Sequence, residues 1–339
     1  MTPDGAHTVA VEVIAPGLLT TVQDARGRPG FARYGVATGG ALDPFAAAAA
    51  NALVGNEPNT ALLEITLVGP TLRFTTPTAF ALAGAELSAE LDGQAVPPGW
   101  SWLARAGSAL SFGGRRRGAR AYLAVAGGFQ VPAVLGSRAT DARAGFGGLA
   151  GRALRAGDRL PLRPVPDAAR RCGWHLAAAD PTDAARLPLR LLPGPHLDRF
   201  RTGTLDELCA ATWQIGDQAD RMGCRLVGPG LRHTRGADVA SLGLPVGAVQ
   251  VPGDGRPIVL LADHQPTGGY TVLACVIRAD LPVLAQRATG DAVRFTPTTP
   301  AEAHAALRAR RAQLQALEAD AAIWASIRWA GSGSQTLSA

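Results

Sequence analysis

The sequence predicts a mainly β protein with a few helices, folded as two strand-rich halves. Three observations carry that prediction. Short apolar runs recur at short spacing, the pattern of barrels and sandwiches. Glycine (41) and proline (25) are abundant among the 339 residues, which favours turns between short strands over long helices. The same polar chemistry of Arg, Asp, Gln and paired Gly occurs between apolar runs in each half, as a site between two lobes requires.

Residues 9–14 alternate and read as a strand. A polar stretch follows, Thr21-Val-Gln-Asp24-Ala-Arg-Gly-Arg28-Pro-Gly30 and then Gly35-Val-Ala-Thr-Gly-Gly40-Ala-Leu-Asp43. It reads either as a pair of loops around an anionic ligand or as tight turns with solvated charges. Residues 44–53 form a helix: Asp43 caps it, Pro44 fits its first turn, alanines fill it and Gly55 ends it. Strands are expected at 62–67, 71–74, 80–82, 87–91, 108–112 and 120–125. A third glycine-rich loop, 136–151, carries Ser137, Arg138 and Thr140, and 165–187 reads as the connection between halves. The second half offers a helix at 200–208, strands at 213–215, 225–226, 248–251, 258–261, 272–277 and 291–295, and a helical turn at 279–286. Residues 300–326 show helical periodicity, and 331–339 look frayed.

Composition narrows the chemistry. With 47% apolar and 18% charged residues the chain can bury a sizeable core. All 33 basic residues are arginine, so a P-loop lysine, a Schiff-base lysine and a biotin-carrying lysine are excluded. The net charge of +6 is dispersed. Its one tight cluster, Arg115-Arg116-Arg117, has no interleaved aromatics and reads as a solvated turn, so no nucleic-acid surface is expected. Cys172, Cys209, Cys224 and Cys275 show no paired spacing, which argues against a metal or redox centre; Cys224 and Cys275 read as packing residues. The N-terminus lacks an apolar signal segment and no run is long enough to span a membrane, so a cytoplasmic protein is expected.

Several segments in order resemble one family. They are Thr21-Val-Gln-Asp24 through Gly-Ala-Leu-Asp43-Pro-Phe-Ala, Ala50-Asn-Ala-Leu-Val-Gly-Asn56, and Leu63-Glu64-Ile-Thr-Leu-Val-Gly-Pro-Thr-Leu. Tyr122-Leu-Ala-Val-Ala-Gly-Gly128, Leu135-Gly-Ser-Arg138, Asp220-Arg-Met-Gly-Cys-Arg-Leu, Gly247-Ala-Val-Gln250-Val-Pro and Asp263-His-Gln-Pro-Thr-Gly-Gly-Tyr270 continue the series. Over residues 8–300 the chain resembles the allophanate-hydrolase subunit 2 family, also called the carboxyltransferase C/D-subdomain family, which includes the C subunit of bacterial 5-oxoprolinase. The resemblance implies two cyclophilin-like β-barrel domains, residues 8–165 and 188–300, followed by a helix at 301–326. It implies partners: the family's B subunit and a third 5-oxoprolinase subunit. It implies an assembly that opens 5-oxoproline to glutamate with ATP, the nucleotide being bound mainly by the partner because this chain has no nucleotide motif. The family pattern has one residue between Gln-Asp and Gly-Arg, whereas Ala25-Arg26 stand here; Arg28 aligns with the motif arginine and Arg26 competes with it. Pro266 stands where the family often has threonine.

The residues themselves suit such chemistry. A lactam or urea carbonyl is a poor electrophile and needs donors where oxyanion character develops. Arg28, Arg138, Arg221 and Arg225 on exposed loops are expected to supply them, with backbone N–H groups at Gly40 and at a tight Gly268-Gly269 bend. Gln23, Gln250, Gln265 and Thr267 can hold an amide. Asp24, Asp43 or Asp263 can act as the base, Asp24 and Asp263 being the expected catalytic pair, and Tyr270 is a hydrogen-bond donor; Asp43 also reads as a substrate contact or, more simply, as the helix cap. His264 has no assigned role. Two other readings remain open. One is biotin-dependent carboxyl transfer to urea or a related amide, with the biotin carrier supplied in trans. The other is a non-enzymatic regulator that sequesters a kinase-inhibitor-like partner related to the family's B subunit.

Overall fold

The structure, a computed structural model, describes residues 9–165, 172–176 and 187–326. The first half is built on two antiparallel sheets. One runs Arg159–Pro161, Ala10–Ala15, Thr71–Phe74, Ala109–Phe112, Ala89–Leu91, Gln94–Ala95; the other runs Leu19–Gln23, Leu62–Thr66, Arg117–Val125, Thr78–Glu86, Ser101–Ala104. Strand period two sorts their side chains. Val11, Val13, Leu72 and Phe74 of the first sheet meet Val22, Leu63, Ile65, Phe80, Leu82, Leu123 and Val125 of the second in one core.

The alternate residues of the second sheet, Leu62, Ala79, Ala81, Ala83, Tyr122 and Ala124, face the other way and are also buried. They are covered by helix α1, Pro44–Leu53, whose start and end match the sequence reading. Asp43 Oδ1 accepts the Ala46 N–H at 3.0 Å, which caps the helix. Its run of alanines lets the helix lie close on a sheet whose facing residues are also small. A sheet covered on both faces reads as continuous apolar sequence, so its strands are longer than alternation alone reveals.

The second half is one nine-stranded sheet in the order Ala292–Val293, Trp213–Ala219, Gly223–Val227, Ile258–Leu260, Ala248–Val251, Thr267–Val276, Leu189–Pro193, Phe295–Pro297, with Asp238–Gly243 added beside Thr267–Val276. The two ends of this order are adjacent in sequence, so the sheet curls into a nearly closed barrel around Leu191, Trp213, Leu226, Val249, Val259 and Leu273. Helices α2, Thr204–Ala210, and α3, Leu281–Ala285, accompany the barrel. Helix α4, Pro300–Ser326, returns to the first half, where Leu314 and Leu317 join the α1 cluster and Arg310 lies over Phe45. Among the described residues no helix is long and apolar enough to cross a membrane.

Some expectations are corrected. Thr21 to Gln23 are strand rather than loop, and Asp238–Gly243 is a strand the sequence did not suggest. Gly268 and Gly269 are not a tight bend but part of the ten-residue strand Thr267–Val276. A side chain at Gly268 would lie 2.7 Å from Leu244 Cδ1 and 3.0 Å from Gln250 Nε2, so this glycine serves close packing within a sheet. Arg115 does not simply face solvent: it pairs with Asp291 of the other half at 2.5 Å. Most of 165–187 and all of 331–339 lie outside the described residues.

Candidate functional site

The two motif patches meet where the chain crosses itself at Gly39-Gly40. Asp24, at the end of its strand, accepts the Gly27 N–H at 2.7 Å on one oxygen. On the other it accepts Ser137 Oγ and the Arg138 N–H, both at 2.7 Å. Asp24 is buried, and this carboxylate clasps the first and third glycine-rich loops together. Gly40 packs against that clasp. A Cβ there would stand 2.7 Å from Gly27 N and 3.1 Å from Asp24 O, and its φ of +84° is one glycine adopts freely.

Arg28 is not on an exposed loop. It is 1% exposed, donates Nε to Val134 O at 3.1 Å and Nη2 to Ala139 O, and lies over the Phe146 ring. Its Nη1 has no partner. Burial lowers its pKa while Asp24, Asp141 and Asp263 pull the other way. Arg26 faces solvent, so Arg28 is the arginine that the extra residue still delivers to the interior.

Arg221 is buried too, and it ties the halves together. Its guanidinium donates Nε and Nη2 to Asp263 at 2.8 and 3.0 Å, Nη2 to Gly40 O at 2.6 Å, and Nη1 to Glu64 Oε1. The Asp263 N–H bonds Arg221 O at 2.9 Å, and the Gly39 N–H bonds Ala262 O at 3.0 Å, so backbone holds the pair in place. Burial disfavours the Arg221 charge, but Glu64 and Asp263 outweigh it and raise its pKa, so the group stays cationic. The sequence points to the surface for both arginines because Gly-rich flanks mark loops. Arg28 is roofed by the third glycine-rich loop of its own half and Arg221 by Glu64 and Gly40 of the opposite half, which spacing alone does not show.

Glu64 and Tyr122 stand in the motif segments, yet sequence reasoning assigns them no role. They are directly opposite one another on paired strands. Glu64 Oε2 accepts the Leu42 N–H and the Tyr122 O–H, each at 2.8 Å, and Tyr122 Oη accepts the Asp43 N–H at 2.8 Å. Asp43 Oδ2 accepts Gln286 Nε2 of the other half at 3.0 Å. The signal is a lone acid and a lone hydroxyl within two apolar strands buried on both faces.

The remaining sequence-derived residues divide. Gln23 is buried, donates Nε2 to Thr21 Oγ1 and Thr140 O at 3.0 and 3.3 Å, and keeps an unpartnered Oε1. Gln250 is buried with an unpartnered Nε2, and a Cβ on Gly268 would lie 3.0 Å from that nitrogen and 3.7 Å from Gln265 Nε2. Arg138 is exposed and donates Nε to Val131 O at 3.0 Å. His264 Nδ1 meets Gln265 O at 2.6 Å, and burial lowers its pKa, which favours the neutral ring.

Thr267, Gly269 and Tyr270 lie in the ribbon paired with Asp238–Gly243, and Tyr270 is 43% exposed. Arg225 is not gathered into the cluster. Its neighbours Cys224 and Leu226 point into the barrel core, so Arg225 faces outward and pairs with Asp254 at 2.8 Å. Burial pushes the Cys224 thiol up to about 11, which makes it a packing residue. Among the described residues no group of three or more His, Cys, Asp or Glu is placed to hold a metal ion.

The family model described as "Carboxyltransferase domain, subdomain A and B" matches residues 34–297. The chain belongs to this carboxyltransferase-domain family. The motif resemblance thus found the right family, although under the subdomain letters C and D. Within the family the chain is 42% identical over 315 residues to the 5-oxoprolinase C subunit of Escherichia coli K12, covering 91% of this chain and 96% of that protein. It is 37% identical to the Haemophilus influenzae protein of the same name, over 84% of this chain and 89% of that one. The crystal structure of Kluyveromyces lactis urea carboxylase superposes with a TM-score of 0.83 at 31% identity, over 94% of this chain. This chain spans 30% of that larger one.

Proposed function

We propose that this chain is the C subunit of a 5-oxoprolinase, acting with a B subunit and a third subunit to open 5-oxo-L-proline to L-glutamate with ATP hydrolysis. The observation that carries the reading is the 42% identity to a protein of that name over nearly the whole of both chains. Residues 8–165 and 188–300 are read as its two domains, with 301–326 as a helix bracing them. The chain is a hydrolase component that works within a complex. ATP is bound mainly by the partner, a reading supported by the absence of lysine and of any nucleotide-binding motif here. The cytoplasm, where ATP is available, is its place of action.

In this reading the lactam sits against the Gly39-Gly40 crossing. Asp263 is read as the base on access: Asp24 is buried as a clasp between loops and Asp43 is buried as the α1 cap, whereas Asp263, though bonded on both oxygens by Arg221, is partly exposed. Its side chain is 11% exposed, at the rim of the cluster. Of the motif residues, Arg28 Nη1, Gln23 Oε1 and Gln250 Nε2 are buried polar atoms without a partner, and in this reading an amide substrate supplies it. The backbone similarity to urea carboxylase, at a TM-score of 0.83, keeps carboxyl transfer from a biotin carrier supplied in trans as the second reading.

Reconstitution separates them. The purified chain alone should release no glutamate from 5-oxoproline, and addition of the two partner subunits with ATP should start turnover. Turnover by the isolated chain would overturn the assembly reading. Urea-dependent carboxyl transfer without 5-oxoproline cleavage would favour the second.

A further inference from the structure

Glu64 is the only charged residue of its strand, and its side chain is 1% exposed. Around it, one cation is divided between two carboxylates. Arg221 gives Nη1 to Glu64 and the Nε–Nη2 edge to Asp263. Glu64 is held independently of Arg221, by the Leu42 N–H and the Tyr122 O–H, so it does not follow the arginine if Asp263 changes protonation. The two acids differ in access: Asp263 is at the rim, and a Cβ on partly exposed Gly39 would lie 3.7 Å from its Oδ1, whereas Glu64 is sealed.

We propose that Glu64 is a positioning residue for proton transfer at Asp263: it draws one edge of the Arg221 guanidinium to itself, so that Asp263 shares the cation and remains able to take up and return a proton. The inference rests on the ring-opening reading, with Asp263 as base. Two carboxylates sharing one guanidinium leave the cluster one negative charge in excess, and the excess falls on the accessible acid.

The other charged groups facing Asp263 are Asp141 from the third glycine-rich loop, Arg28 from the first, and the adjacent His264. Burial raises the Asp263 pKa, Arg221 lowers it, and Glu64 and Asp141 raise it further. Removing the Glu64 charge acts twice in one direction. It deletes a repulsive neighbour and leaves the whole cation to Asp263.

The test is a carboxyl-carbon NMR titration of the isolated chain, with Asp263→Asn identifying the resonance. In the wild type Asp263 should titrate above the ordinary aspartate value of about 3.9. Glu64→Gln should lower the midpoint by about one unit or more, a roughly tenfold loss of proton affinity. Tyr122→Phe, which removes a hydrogen bond but no charge, should leave it within a few tenths of a unit. A wild-type midpoint at or below the ordinary value overturns the proposal even if Glu64→Gln does not fold. Equal midpoints in Glu64→Gln and wild type overturn it as well.

In the reconstituted assembly the acid limb of kcat/KM should move to lower pH by the same step in Glu64→Gln; an unmoved limb removes the catalytic meaning. Because the titration needs neither partner nor substrate, absence of 5-oxoproline turnover would defeat the functional reading and leave the titration to decide the electrostatic one.

Discussion

Replacing Arg221 with alanine leaves Glu64 and Asp263 buried with no cation between them and Gly40 O without its donor. Removing one partner of a buried ion pair costs about 3–5 kcal/mol, because the remaining charge stays out of water unpaired. Each kcal/mol lowers Tm by roughly 2–4 °C for chains of 150–250 residues, and by less for a longer one. The expected fall is therefore about 5–10 °C, read by calorimetry at neutral pH. Near pH 4 the deficit should narrow, since the stranded carboxylates can protonate, whereas in the wild type Arg221 keeps its charge throughout.

A triple variant, Arg221→Met with Glu64→Gln and Asp263→Asn, should recover much of the loss, because it removes the buried charges together rather than orphaning two of them. An exposed loop arginine, the sequence expectation, would cost under about 0.5 kcal/mol. A fall of less than about 2 °C for Arg221→Ala would refute the argument that this residue clamps the halves. So would a triple variant no more stable than the single one.

The remaining predictions concern the crossing and one peripheral ion pair. Gly40→Ala places a Cβ 2.7 Å from Gly27 N, whereas Gly30→Ala, at a similar positive φ, meets nothing within 4 Å. The second should therefore cost about 1–2 kcal/mol of backbone strain alone and the first clearly more, compared by urea unfolding; equal losses would show that the crossing is not tight. Asp158 accepts both Arg152 nitrogens at 2.8 Å and the Arg155 N–H at 2.7 Å, and the Arg152 bond leads the causes that hold its pKa below the ordinary value. A depressed folded pKa stabilises above the unfolded value and is lost as pH falls through the folded one. Asp158→Asn should thus cost about 1 kcal/mol near neutrality, with the gap from wild type closing in acid. A gap independent of pH would count against it.

What could be read in advance follows from which forces are local. The bounds of α1 and α4 were legible because a capping acid, a first-turn proline and helical periodicity act within a few residues of one another. Strand positions were legible where one face is polar. They were underestimated at Thr78–Glu86 and Arg117–Val125, where both faces are buried and alternation disappears. The strand Asp238–Gly243 was missed for the opposite reason: it is mostly exposed, so it carries almost no hydrophobic pattern.

For the site, the sequence singled out segments that the fold brings together at the Gly39-Gly40 crossing, but not the partners of their side chains. A glycine-flanked arginine looks the same whether it reaches solvent, as Arg26 does, or is roofed over, as Arg28 is. The distinction is made by residues more than a hundred positions away: Val134 and Ala139 for Arg28, Glu64 for Arg221. The useful clue was instead a residue out of place. A glutamate in a strand with no polar face calls for buried donors, a cation above all, and without lysine the chain's permanent side-chain cations are all arginines. Searching the opposite half for an arginine between apolar runs leads to Asp220-Arg221-Met222. The same reasoning makes Tyr122, opposite Glu64, a donor to that carboxylate rather than a substrate contact. Buried polar exceptions, read strand against strand, would have found the clamp that glycine-rich motifs only bracketed.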